Sequence, residues 1–213
     1  MADNYLEKRY AEINSGGGRT AYSNPSIDTL LARNRSVRGY RKDNVVKIQQ
    51  LERIIAVNTK VASARNRQAL RFRPITQGPE ADAILKSVVM GAGLPELHLP
   101  LPGTEPEAFI LVASSAEEDQ NLFIDLGISL QSMLLKAVSM GLNGLIIRAF
   151  NREGIEKALE FPKDMRLLCV LAIGKSGEKL DTVPVDSGMS LAYYRDAEGT
   201  HHVPKIKAED LIF

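Results

Sequence analysis

The chain of 213 residues has a single cysteine, Cys169, which excludes an intrachain disulfide and suits a reducing compartment. Cys169 lies in the apolar run Leu167-Leu168-Cys169-Val170-Leu171, where a small hydrophobe fills core. There is no excess of either charge. With 27 basic and 26 acidic residues the net charge is +1, so no global field draws the chain to nucleic acid or anionic lipid, and any basic function must be local. Met1-Ala2-Asp3-Asn4-Tyr5-Leu6-Glu7-Lys8 lacks the apolar core of a signal peptide, and no uncharged run reaches the roughly 18 residues of a membrane span. A soluble, cytoplasmic protein is expected.

Several chemical motifs are also missing. His98, His201 and His202 have no metal spacing and no cysteine companions. The stretch Cys169 to Ser176 is one glycine short of a phosphate-cradling loop, and its interior is apolar. Gly127-Ile128-Ser129-Leu130-Gln131 is one residue short of a nucleophile elbow and falls inside a helical pattern. Gly91-Ala92-Gly93 lacks both the third glycine and the preceding strand of a dinucleotide fingerprint. No side-chain nucleophile, metal centre or separate nicotinamide domain is therefore expected.

What the chain does have is arginine in two dense clusters. Arg33-Asn34-Arg35-Ser36-Val37-Arg38-Gly39-Tyr40-Arg41 places four guanidiniums and a hydroxyl in nine residues. Arg65-Asn66-Arg67-Gln68-Ala69-Leu70-Arg71-Phe72-Arg73 repeats the count and adds two amides and a ring. Clustered guanidiniums repel unless anions or carboxylates lie among them, and their planar forks match phosphate oxygens. Amides both donate and accept, as a heterocycle edge requires. The pair suggests a nucleotide-like site, against the alternative of two solvated basic turns.

Along the chain, residues 1–25 read as a turn-rich arm and 26–213 as one domain, long enough for a single substantial core. Ser26 caps a helix carrying Ile27, Leu30 and Leu31, and Asp43 or Asn44 caps another carrying Ile48, Leu51, Ile54 and Ile55. Phe72 to Thr76 reads as a strand that Pro74 confines to an edge. A helix from Ala81 to Met90 stops at Gly91, and Leu94 to Pro106 is a proline-rich loop of the kind that covers a site. Ala108 to Ala113 is a strand buried on both faces. Leu122 to Met140 is a helix apolar nearly all round, which we expect a partner subunit to help bury. Strand, helix and strand follow at Leu142 to Ile147, Asn151 to Leu159 and Leu167 to Ile173, so the fold is α/β or α+β. Val183 to Phe213 has weak periodicity and is expected to reach outward.

The clusters resemble those of the nitroreductase family of flavin enzymes, in which Arg-Arg-Ser-x-Arg is followed about one helix later by Pro-Ser-x-x-Asn-x-Gln-Pro-Trp. Asn34-Arg35-Ser36-Val37-Arg38 stands against the first motif and Ala62 to Leu70 against the second. Asn34 takes the place of an arginine, Ala62 and Ala69 of prolines, and Leu70 of the aromatic. Asp125-Leu126-Gly127 is similar to the Asp-x-Gly opening of the family's long helix, and Gly141-Leu142-Asn143-Gly144 to its closing turn. The resemblance extends over about residues 26 to 212.

It implies an α+β three-layer sandwich, with a central, mainly antiparallel sheet flanked by helices, in a homodimer. It also implies FMN as cofactor, NADH or NADPH as donor, and a nitro compound, quinone or similar small-molecule acceptor. Arg35, Ser36 and Lys205 would neutralise the phosphate, and Arg38 and Asn66 would hold the polar edge of the ring. The Arg148-Ala149 backbone would face its reactive nitrogen, and Asn34 and Gln68 complete the cofactor-binding set. The flavin carries the chemistry, so no catalytic side chain is implied. The competing reading is a nucleic-acid or anion-binding module that uses the two clusters with Tyr40 and Phe72 as stacking surfaces.

Overall fold

The structure is a computed structural model, and it describes residues 25–91 and 97–213. The N-terminal arm and the first part of the proline-rich loop thus lie outside the described residues. In chain order the main elements are α1 (Ile27–Arg33), α2 (Ile48–Ile55), β1 (Arg71–Ile75), α3 (Pro79–Ser87), β2 (Ala108–Ser114), α4 (Gln120–Ser139), β3 (Asn143–Ile147), α5 (Arg152–Ala158), β4 (Arg166–Gly174), β5 (Leu180–Val185), β6 (Tyr194–Arg195) and β7 (His201–Ile206).

The two most apolar strands, β2 and β4, form the centre of a four-stranded sheet ordered β1-β2-β4-β3, and every pairing in it is antiparallel. Because side chains alternate along a strand, the central pair feeds two cores. Ala108, Ile110 and Val112, with Cys169, Leu171 and Ile173, pack under α2 and α4. Phe109 and Leu111, with Val170 and Ala172, pack under α3 and α5. The result is the helix, sheet, helix layering that the resemblance implies. A register shift between Val112 and Ala113 turns the end of the sheet. Cys169 is core, and burial pushes its thiol up to about 11.

β1 is an edge strand, as Pro74 requires, because a residue with no N–H cannot serve a sheet on both sides. The opposite edge, β3, is met by cluster one through a bridge between Ser36 and Gly144. Gly144 permits this close approach: a Cβ there would lie 2.6 Å from the Ala172 carbonyl oxygen.

Asp119 caps α4 by accepting from the Leu122 N–H at 2.7 Å. It also takes both Arg67 guanidinium nitrogens, at 2.9 and 3.0 Å. The Arg67 hydrogen bonds, more than the cap itself, hold the Asp119 carboxyl below the usual carboxylate range. A depressed folded-state value means stability that is present above about pH 4 and lost as pH falls through that value. Asp119→Ala is therefore expected to lower the melting temperature at pH 7 and to narrow the gap from wild type at pH 3. Thermal melts at the two pH values check this.

Several boundaries differ from the sequence reading. α2 begins at Ile48 with Lys47 as its cap, its N–H donating to the Gln50 side chain at 2.9 Å; neither Asp43, which pairs with Arg41, nor Asn44 caps it. α3 ends at Ser87, since Val88 turns extended to bridge Phe150. The apolar residues of α1 are not core: no α1 residue is buried, and Ile27 and Leu31 are exposed. The helix neighbours α4, on whose outward face Phe123 and Ile124 remain 40% and 52% exposed.

The C-terminal stretch forms a second, three-stranded sheet, β5-β7-β6, with β5 parallel and β6 antiparallel to β7. Polar contacts reinforce it, including His202 Nε2 to Asp196 at 2.8 Å and Tyr194 stacked on His202 at 4.9 Å. Such contacts leave no hydrophobic period to read.

Candidate functional site

Cluster one is fixed by its least polar member. Val37 is fully buried, its N–H donates to the Gly144 carbonyl at 3.2 Å, and the buried Tyr40 hydroxyl donates to the Val37 carbonyl at 2.8 Å. Burial raises the Tyr40 phenol well above its ordinary range, so it stays protonated. With Val37 inward, the hydroxyl of Ser36 is left on the exposed side. Arg35 Nη1 donates to the Leu31 and Asn34 carbonyls at 2.8 Å, closing the end of α1. Arg38 Nη1 donates to the Ser36 carbonyl at 3.2 Å, and its guanidinium lies 5.2 Å over the Tyr193 ring. Arg38 Nε is buried without a partner. Among the described residues, neither Arg35 nor Arg38 has a side-chain carboxylate within ion-pair distance of its guanidinium.

Cluster two is built differently. Arg65, Asn66 and Gln68 all adopt positive φ, at 53°, 53° and 46°. A non-glycine residue held in this region costs on the order of 1–3 kcal/mol and persists only where its surroundings enforce it. Here Asp125 accepts from the Ala64 N–H, Ser63 Oγ accepts from the Gln68 N–H, and Asn66 Oδ1 accepts from the Gln68 amide, each at 2.9 Å. The arginines mostly serve the loop itself. Arg67 pairs with Asp119, Arg71 donates to the Gln68 and Leu70 carbonyls, and Arg73 pairs with Glu80 and donates to the Leu159 carbonyl. Beside the loop opens a cleft of about 240 Å³ walled by Ile55, Asn58, Ser63, Leu70, Phe72 and Asp125. Sequence reading missed Ser63 and Asp125 as its polar wall, although the Asp-x-Gly opening had marked Asp125.

The remaining sequence-derived candidates separate along α4. Asn34 Nδ2 reaches Gln131 Oε1 at 3.5 Å, and the Arg148 guanidinium sits 5.8 Å over Phe123. Those two anchor points share the outward face of α4, eight residues or about 12 Å apart. The Ala149 carbonyl accepts from the Val89 N–H at 2.8 Å. Cluster two instead hangs on the buried Asp125, which the helical repeat turns about 120° from Gln131. Among the described residues, none of the principal cavities has walls from both clusters.

Lys205 is exposed on β7, four residues or about 13 Å beyond His201. Among the described residues, no hydrogen bond or ion pair links it to Arg35 or Ser36, with which the resemblance groups it. The basic residues that the small sheet brings near Arg38 are Arg195 and His201. Burial, and then the positive charge of Arg38, lower the His201 imidazole below its ordinary range, so it is neutral at pH 7.

Solved structures share this layout. A nitroreductase family protein from Clostridium novyi NT superposes with a TM-score of 0.60 at 17% identity, covering 71% of this chain and 86% of that one. An FMN and NADPH-dependent nitroreductase from sphigopyxis sp. strain HMH gives 0.59 at 20% identity, covering 72% and 89%. An FMN-dependent nitroreductase from Clostridium difficile R20291 gives 0.57 at 19%, covering 70% and 87%. At these identities the likeness establishes the fold. No curated protein sequence matches significantly. The sequence model of the nitroreductase family matches residues 31–175, from Leu31 in α1, two residues before cluster one, to Lys175, the residue after β4. That span covers more than half the chain and contains both arginine clusters and all four strands of the central sheet, and on it the chain belongs to the nitroreductase family.

Proposed function

We propose that the protein is an FMN-dependent oxidoreductase that works as a homodimer, with residues 26–213 as its FMN-binding unit. It passes electrons from NADH or NADPH to a nitro compound, quinone or similar acceptor. One observation carries the reading: two strained or unneutralised polar clusters flank α4, and among the described residues Phe123, Ile124 and Ile128 on its outward apolar face remain exposed. A second copy laid on that face, which Ile27 and Leu31 extend, would bring cluster two of one protomer to cluster one of the other. The FMN-dependent enzymes of similar fold support the choice of cofactor.

The donors present suit the group. Arg35 and Ser36 would bind its phosphate; Arg38, Asn66 and Gln68 would bind the polar ring edge, and the Arg148-Ala149 backbone would border the reactive part. Asn34 would steady the phosphate turn through Gln131. Lys205 falls outside this set within one chain. Bound FMN supplies the two-electron redox chemistry. Arg38 contributes a fixed positive charge that favours the reduced, anionic form without reorganisation during reaction. Nicotinamide and acceptor enter the same open site by turns, so no second nucleotide domain is needed. Chemistry of this kind suits a reducing compartment such as the cytoplasm.

The nucleic-acid reading loses support. Tyr40 is buried and offers no stacking surface, and the arginines of cluster two are largely engaged within the chain.

Protein loaded with FMN should show flavin absorbance that bleaches on adding NADH or NADPH. Protein that cannot be loaded and shifts DNA at low salt would overturn the reading. Arg38→Ala should weaken FMN binding by about tenfold or more, the scale of one lost charged hydrogen bond, with the dimer intact. Unchanged affinity in a fluorescence titration would remove Arg38 from the site.

A further inference from the structure

We infer that the small C-terminal sheet positions Arg38, with Glu178 and Tyr193 as its contacts and Arg195 as the residue that fixes Glu178. The inference rests on the functional reading above and concerns residues beyond the stretch that matches the family.

The segment after β4 zips onto cluster one. The Arg41 N–H donates to the Lys175 carbonyl at 2.9 Å, the Gly177 N–H donates to the Gly39 carbonyl at 3.0 Å, and Tyr40 bridges Ser176. Glu178 then folds over Gly39, where a Cβ would meet its Cγ at 3.2 Å. Both of its carboxylate oxygens are used. One accepts from the Arg38 N–H at 2.7 Å and the other from Arg195 Nη2 at 2.6 Å. The Glu178 and Arg195 side chains are only 8% and 17% exposed, so this pair is screened far less than a surface ion pair.

Arg195 pairs with His201 across β6 and β7, the His201 ring packs on Tyr193 at 5.2 Å, and Tyr193 lies under the Arg38 guanidinium. The contacts thus close a circuit that starts and ends at Arg38. The circuit contains two guanidiniums and one carboxylate, which only the Arg195 guanidinium meets, and the imidazole is neutral, so one positive charge is left over. Arg195 is committed to Glu178, whereas among the described residues the Arg38 guanidinium meets carbonyl oxygen and a ring and keeps a buried N–H without a partner. The surplus charge therefore sits at Arg38, held in place from below and behind.

The test titrates FMN into wild type, Arg195→Met, Arg195→Lys and Tyr193→Leu, each alone and combined with Arg38→Ala. Arg195→Met and Tyr193→Leu should weaken binding about tenfold, and Arg195→Lys should recover part of the loss. In the Arg38→Ala background the same changes should have no further effect, and in the single variants bound FMN should become harder to reduce. If the losses persist undiminished without Arg38, or if affinity and potential do not change, the inference is overturned. Should Arg195→Met not fold, Tyr193→Leu carries the test, since it leaves no buried charge unpaired. Wild type that cannot be loaded with FMN overturns the functional reading, and this inference with it; failure of the variants alone overturns only the positioning role.

Discussion

Ile128→Glu is expected to leave the chain folded, to abolish dimerisation, and to reduce FMN affinity by about a hundredfold or more. Ile128 lies midway along the outward face of α4, is exposed in the single chain, and belongs to neither core cluster. The fold should therefore tolerate a carboxylate there. An apolar interface cannot: an unpaired charge buried on association costs several kcal/mol, and each 1.4 kcal/mol is a factor of ten. The expected loss of FMN follows from the proposed composite site, in which cluster two of one protomer meets cluster one of the other. Light scattering after size-exclusion chromatography, together with FMN titration, checks both parts. A monomer that binds FMN as wild type does would place the whole site in one chain, and a persistent dimer would place the interface elsewhere.

Phe109→Ala should produce the largest loss of stability. Phe109 is fully buried near the start of β2, in the core under α3 and α5, opposite Ala172 of β4. Removing a buried aromatic ring costs about 3–5 kcal/mol, because the cavity left behind closes only in part. For a chain of this size that corresponds to a fall in melting temperature of roughly 6–20 °C. Ile110→Val, one residue along in the other core, removes a single methylene group and should cost only about 1 kcal/mol. Thermal or urea unfolding of the two variants, measured side by side, separates them. Equal losses would mean that the two faces of the sheet are not packed as described.

The reach of sequence reasoning can be judged from the same elements. β2 and β4 were legible because burial on both faces writes a continuous apolar run, α4 because apolar residues fill both its buried side and its exposed one, and the edge position of β1 because Pro74 forbids a second neighbour. The start of α2 was not: Asp43 is a good cap by residue type but pairs with Arg41, and Lys47 caps the helix instead. Nor was the sheet formed by β5, β6 and β7, which rests on ion pairs and ring contacts between residues with no shared period. Both arginine clusters were visible as composition. Their internal use was not: Arg67 and Arg73 find carboxylates that lie 52 and 7 residues away, and no local pattern reports such pairings. Lys205 was placed by resemblance alone, beyond the residues that match the family, and the strand that carries it leads away from Arg38.

The two rims of the central sheet have a consequence for self-association. One rim offers a proline, Pro74, immediately after Arg73, and the other is already occupied at Gly144 by the backbone of Ser36 and Val37. Neither is an inviting template for strand addition by another molecule. Folded copies are thereby steered away from open-ended, fibril-like growth, and contact through helices becomes the easier route to a closed pair.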